Sequence, residues 1–175
     1  TFRKWPFNLG TLALSIAISG CVPRAVHQSM IPGDIPRLAQ HEASVSVRVD
    51  SDAVQLSTLP ADEFKQAIER ALVASGTFQR LEADTSSGYQ LLVRITSLDA
   101  PAAFAWERQV RLVANWELRR AKSGQSVWKD VISTKFVTTT KDAWGGMERT
   151  KLSTEGAARA NIRDAVDQLG RLKLE

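Results

Sequence analysis

Cysteine occurs once in the 175 residues, at position 21, so no disulfide can form within one chain. Histidine occurs twice, as His27 and His41, both in a stretch expected to be a linker. That leaves no metal-ligand cluster and no histidine-based catalytic pair to assign. There is no Gly-x-Ser-x-Gly elbow, no glycine-rich phosphate loop and no His-Glu-x-x-His. A hydrolase therefore lacks its nucleophile and base, and no cofactor or metal is expected. Long apolar runs are missing too. The run Leu9–Gly20 has 12 residues, against about 20 needed to span a bilayer. Internal repeats and low-complexity segments are absent.

What is present begins with that short run. Residues 1–21 read TFRKWPFNLGTLALSIAISGC: a basic start at Arg3 and Lys4, an apolar core, then Ile18-Ser19-Gly20-Cys21. A short apolar core between a basic flank and small residues is the pattern of a signal peptide. Ser19 and Gly20 let an extended backbone enter a peptidase groove, and the Cys21 thiol can accept a diacylglyceryl group. The motif resembles the lipobox of bacterial lipoproteins, which implies cleavage between Gly20 and Cys21 and a lipid anchor. An uncleaved anchor is the alternative. Without Arg3 and Lys4 the chain carries 21 basic and 19 acidic side chains, a net of +2. So weak a field predicts no nucleic-acid partner.

Three segments follow: a signal peptide over 1–20, a lipidated cysteine and flexible tether over 21–43, and one α+β periplasmic domain over 44–175. Pro23, Pro32, Gly33 and Pro36 discourage regular structure in the tether. Met30, Ile31, Ile35 and Leu38 leave open that part of it packs on the domain. Val45, Val47 and Val49 alternate with polar residues and predict a half-buried strand over 44–50. Pro60 suits a helix start, and Phe64, Ala67, Ile68, Ala71, Leu72 and Ser75 form one stripe before a terminating Gly76. Strands are expected over 78–81, 89–98, 110–120 and 125–139, with Lys122-Ser123-Gly124 turning the last pair. A final helix is expected from Thr154 to Leu172. The order β-α-β-β-β-β-α predicts a two-layer α+β sandwich, a mainly antiparallel sheet with two amphipathic helices on one face.

If the strands pair in sequence order, the loops 99–109 and 140–151 share one end of the sheet with the start of the first strand. Those loops carry Phe104, Trp106 and Trp144, the last followed by Gly145-Gly146 as a flexible hinge. Exposed, these residues suit a protein partner or a membrane interface. Folded back, the rings would plug the end of the core. Arg94, Arg111 and Arg119 alternate so as to line the open sheet face, where their guanidinium forks could take anionic glycan or lipid, or serve solubility alone. Glu107, Arg108, Glu117 and Arg119 read as solvated positions. Glu155-Gly156 reads as helix initiation, with Gly156 allowing close approach to the sheet.

The segment from Phe64 to Phe78, the Val127-Trp128 strand and the run Glu155-Gly156-Ala157-Ala158-Arg159-Ala160-Asn161-Ile162 resemble uncharacterised proteobacterial lipoproteins. More distantly, the architecture is similar to small envelope-assembly lipoproteins of lipopolysaccharide export, exopolysaccharide secretion and peptidoglycan-synthase activation. The resemblance implies a lipid-anchored, non-catalytic accessory protein that docks on an envelope protein of an assembly or export machine. Val22 after the cysteine, in such lipoproteins, implies the periplasmic face of the outer membrane.

Overall fold

The computed structural model describes residues 23–35, 41–51, 58–82, 88–100 and 106–174. Ile18, Ser19, Gly20, Cys21 and Phe104 lie outside the described residues. The elements are α1 (His27–Met30), β1 (His41–Ser51), α2 (Ala61–Ser75), β2 (Phe78–Leu81), β3 (Tyr89–Asp99), β4 (Glu107–Arg120), β5 (Ser126–Thr139) and α3 (Gly146–Leu169). They form the expected two-layer α+β sandwich: a five-stranded sheet in the order β2-β1-β3-β4-β5, with the helices on one face. Among the described residues no helix is long and apolar enough to cross a membrane.

Local sequence explains most elements. In α2 the stripe Phe64, Ala67, Ile68, Ala71, Leu72 and Ser75 is buried in full. Asp62 and Glu63 occupy its first turn, where acids complement the positive end of the helix dipole. Gly76 ends the helix at φ 67°, a left-handed conformation that costs glycine little. In β4 the inward residues Val110, Leu112, Ala114, Trp116 and Leu118 are fully buried, as period-two alternation requires.

Strand pairing departs from sequence order. β1 lies between β2 and β3 and runs parallel to both, so the sheet is mixed. Strand length explains this. The four residues of β2 cannot cover the eleven of β3, whereas β1, also eleven, matches β3 over seven consecutive positions. The start of β1 pairs near Tyr89, and Tyr89 faces Arg120. Trp106 and Trp144 flank the other end, where Glu107 pairs with Thr139. The expectation that the chain joins β1 beside the tryptophans is thus corrected.

Helix α3 begins at Gly146 rather than Thr154 and takes in half of the expected loop 140–151. Its first turns bury polar side chains, which hides them from an apolar-stripe reading. The Thr138 hydroxyl donates to Arg149 O (3.0 Å) and lies 2.6 Å from Ser153 Oγ, which donates to Arg108 O (3.0 Å). Further along, Trp116 Nε1 donates to Asn161 Oδ1 (2.9 Å), and Asn161 Nδ2 donates to Ile132 O (2.9 Å). Gly156 meets β5 directly: a Cβ there would lie 2.3–2.7 Å from ring carbons of Phe136. The close approach read from Gly156 is present, although Glu155 sits mid-helix and buried, not at a helix start.

Residues 23–35, expected as tether, lie on the helical layer, and Ala25 and Met30 are buried. Ala25 N donates to Thr58 O (2.8 Å), Val26 N to Glu155 Oε1 (3.1 Å) and His27 N to Glu63 Oε2 (2.6 Å). Arg159 Nε donates to Ser29 O (2.9 Å), and Arg163 lies 3.3 Å from Asp34. As the chain advances from 26 to 34, its partners advance from 155 to 163. The segment therefore runs parallel to α3 as a strap. It then leads to β1, where His41 Nε2 lies 3.0 Å from Leu169 O. Prolines disfavour long helices and sheet strands but not a packed strap with the single short helix α1 between Pro23 and Pro32, which explains the difference.

Two outcomes are expected. Gly156→Ala should cost about 1–3 kcal/mol of stability, as overpacking does; unchanged thermal unfolding would contradict the Phe136 contact. The His27 backbone N–H, and then its ring, hold the Glu63 carboxyl below the ordinary carboxylate range. The ionised form is therefore favoured in the folded state. This stabilisation is present above the ordinary carboxylate range and is lost as pH falls through the depressed value. Amide exchange at residues 25–29 should rise with that acidification, and Glu63→Gln should abolish the dependence.

Candidate functional site

At the end where β4 starts and β5 finishes, two tryptophans stand in solvent. Trp106 immediately precedes β4 and is 82% exposed; Trp144 precedes α3 and is 92% exposed. Met147, in the first turn of α3, is 48% exposed. The core is therefore not plugged by these rings.

The backbone at Trp144 is held by hydrogen bonds from both sides. Asp142 Oδ2 accepts from Thr139 N (2.7 Å) and Thr139 Oγ1 (3.0 Å), closing the turn after β5. These bonds, the backbone one foremost, hold the Asp142 carboxyl below the ordinary carboxylate range. Beyond the turn, buried Arg149 reaches back and donates Nη1 to Ala143 O (2.9 Å) and Trp144 O (2.7 Å). Gly145 and Gly146 are not a hinge in this setting. Gly145 caps α3 at φ −74° and Gly146 is the first helical residue. Arg108, expected to be solvated, is buried under the helix start. Burial, and then the neighbouring Arg149 charge, push its guanidinium below the usual arginine range.

Arg149 and Asp142 are the residues that sequence reasoning missed. The Thr139-x-x-Asp142 spacing is a legible turn signal. Nothing local in the sequence marks Arg149, because its partners are backbone carbonyls.

The arginines of the open face divide into two groups. Arg94 and Arg119 line one shallow depression of about 320 Å³ with Asp50, Asn115, Glu117 and Lys129. Arg111 pairs with Asp99 and Lys135, nearer the tryptophan end, and is not part of it. Arg119 Nη2 donates to Glu117 Oε2 at 2.7 Å. That bond foremost, followed by one from Ser126, holds the Glu117 carboxyl below its ordinary range. The depression thus carries both signs of charge. Its geometry brings two of the three arginines together, with Asp50 and Glu117 among them.

Since both tryptophan rings lie in water, replacing them removes little packing. The double variant Trp106→Ala/Trp144→Ala should unfold within about 0.5 kcal/mol of the parent, as surface substitutions do. A large drop in melting temperature would show that the rings pack on the core.

Solved structures share this fold. A Xanthomonas campestris protein of the family described as DUF330 superposes with a TM-score of 0.56 at 12% identity, over 82% of this chain and 89% of that one. PelC from Paraburkholderia phytofirmans, solved as a dodecamer, superposes with a TM-score of 0.53 at 13% identity, over 80% and 95%. No protein-family model and no curated protein matches the sequence. At such identities the likeness is one of fold.

Proposed function

We propose that this chain is a lipid-anchored, non-catalytic accessory protein of a bacterial envelope. In this reading it is held at the periplasmic face of the outer membrane and docks on a component of an assembly or export machine. The observation that carries the reading is the direction of the strap. Val26 lies at Glu155 and Asp34 at Arg163, so the chain before Val26 leads toward the start of α3, where Trp144 sits. Cys21 precedes Val26 by only five residues. A lipid on its thiol would present the tryptophan-bearing end to the membrane, with the open sheet face left accessible.

The two histidines have structural uses that favour a non-catalytic role. His27 Nδ1 lies 2.7 Å from Glu63 Oε2, and His41 bonds the last carbonyl of α3. A tethered domain needs only modest intrinsic affinity for a membrane-bound partner, because anchoring raises effective concentration. The several acyl chains of a lipoprotein each add about 0.8 kcal/mol per buried methylene, which makes the anchor stable.

Replacing Cys21 by Ser tests this. The parent should fractionate with the outer membrane and show an acylated Cys21 by mass spectrometry. Cys21→Ser should be released into the soluble envelope fraction with its melting temperature unchanged, and should lose cross-links to the partner. An unmodified thiol in the mature parent, or a variant that stays with the membrane, would contradict the proposal.

A further inference from the structure

We infer that the tryptophan end seats in the interfacial layer of a lipid bilayer, and that the surface contacted by Trp106 and Trp144 is lipid and not protein. The inference rests on the anchoring reading above and adds to it what the anchored body touches. Distance supports it first. Five residues from Val26 to Cys21 span at most about 17 Å when extended. The nine residues of α3 between Glu155 and Gly146 rise about 13.5 Å. An anchor at Cys21 can therefore lie level with the start of α3. A bilayer at that level lies beside Trp144, just before α3, and Trp106, just before β4 at the same end of the sheet.

The make-up of the end supports lipid over protein. Its most exposed large apolar side chains are Trp106, Trp144 and Met147, with Val137 and Phe136 partly exposed two and three residues before Thr139 on β5. Around them Glu107, Lys141, Asp142 and Glu148 are exposed. A stable protein interface buries about 800 Å² per partner around a continuous apolar centre. The two tryptophans and Met147 stand apart among these charges, and the less exposed Val137 and Phe136 lie further along β5, so they do not supply that centre. They do match the way tryptophan anchors at headgroup depth, ring in the apolar boundary and N–H toward water. The mounting matches as well. The Arg149 bonds to the carbonyls of residues 143 and 144 hold the Trp144 backbone outward, so the ring is presented before any bilayer is met. Glu107, Asp142 and Glu148 are balanced by Lys141 and by Arg108 and Arg149 buried beneath them, so the tip has little net charge to attract anionic lipid, and the contact should be apolar and insensitive to salt.

The test uses the acylated protein, purified from membranes and reconstituted in phosphatidylcholine vesicles whose chains are brominated near the headgroup. Tryptophan emission should be blue-shifted and quenched by the bromines to the same extent at low and high salt. Trp106→Phe/Trp144→Phe should stay with the vesicles yet lose most of that quenching, because Trp116 is buried and Trp128 half-buried in the sheet. A vesicle-bound parent whose tryptophans remain open to acrylamide and untouched by bromine would overturn the inference while leaving the anchor standing. So would tryptophans shielded only in native membranes and exposed again in pure lipid, which would assign the surface to a protein. A protein that lacks acyl chains and does not sediment with vesicles would remove the anchoring reading and this inference with it.

Discussion

The Asn161 amide, fully buried between α3 and the sheet, fixes the register of the largest helix. Its oxygen takes the indole N–H of Trp116 and its nitrogen bonds Ile132 O, with Thr134 Oγ1 at 3.3 Å. A buried amide left without partners costs about 1–3 kcal/mol, and sliding α3 by one residue would strand several such groups together. Gly156 acts in the same sense. Only a residue without a side chain lets the helix rest on Phe136 at this register. With α3 so placed, Thr138 bonds across to Arg149 O and Ser153 in its first turns, and Arg149 reaches the carbonyls of Ala143 and Trp144. The exposed tip is therefore a consequence of core contacts some distance away.

The same register aligns the outer face of α3 for the strap. Glu155, Arg159 and Arg163 stand four residues apart, one helical turn each, and meet Val26, Ser29 and Asp34 in turn. Glu155 is buried and is matched by a backbone N–H, with Lys151 Nζ at 3.9 Å. On its other side His27 ties the strap to α2, and Ala25 ties it to Thr58 just before that helix. The strap thus turns a terminal segment into a directional element. The chain is delivered to one end of the sandwich although β1 itself starts at the opposite end.

Elements whose burial follows apolar periodicity were legible in the sequence. The valines of β1, the stripe of α2 and the alternation of β4 face the core as their spacing dictates. Positions of polar burial were not. The first three turns of α3 hide Arg149, Ser153 and Thr154, residue types that read as surface. The strap is held by backbone amides and carbonyls that no side-chain pattern reveals, and its prolines argue against regular structure without arguing against packing. Strand order was hidden because pairing of β1 with β3 is a matter of matched length across 44 residues of separation. As for the tip, Trp106 and Trp144 could be picked out by type and loop position. Their exposure depends on the Arg149 and Asp142 bonds, which only the fold brings together.

Because Cys21 is the only thiol, one nitroxide placed there reports directly on where the strap delivers the chain. In the full-length, unacylated protein, paramagnetic broadening of amide resonances should be strongest around residues 106–108 and 144–149, with the 121–125 turn unaffected. Broadening centred on that turn, with the tryptophan end sharp, would mean the chain leaves by the other end, and the membrane-facing orientation would be wrong.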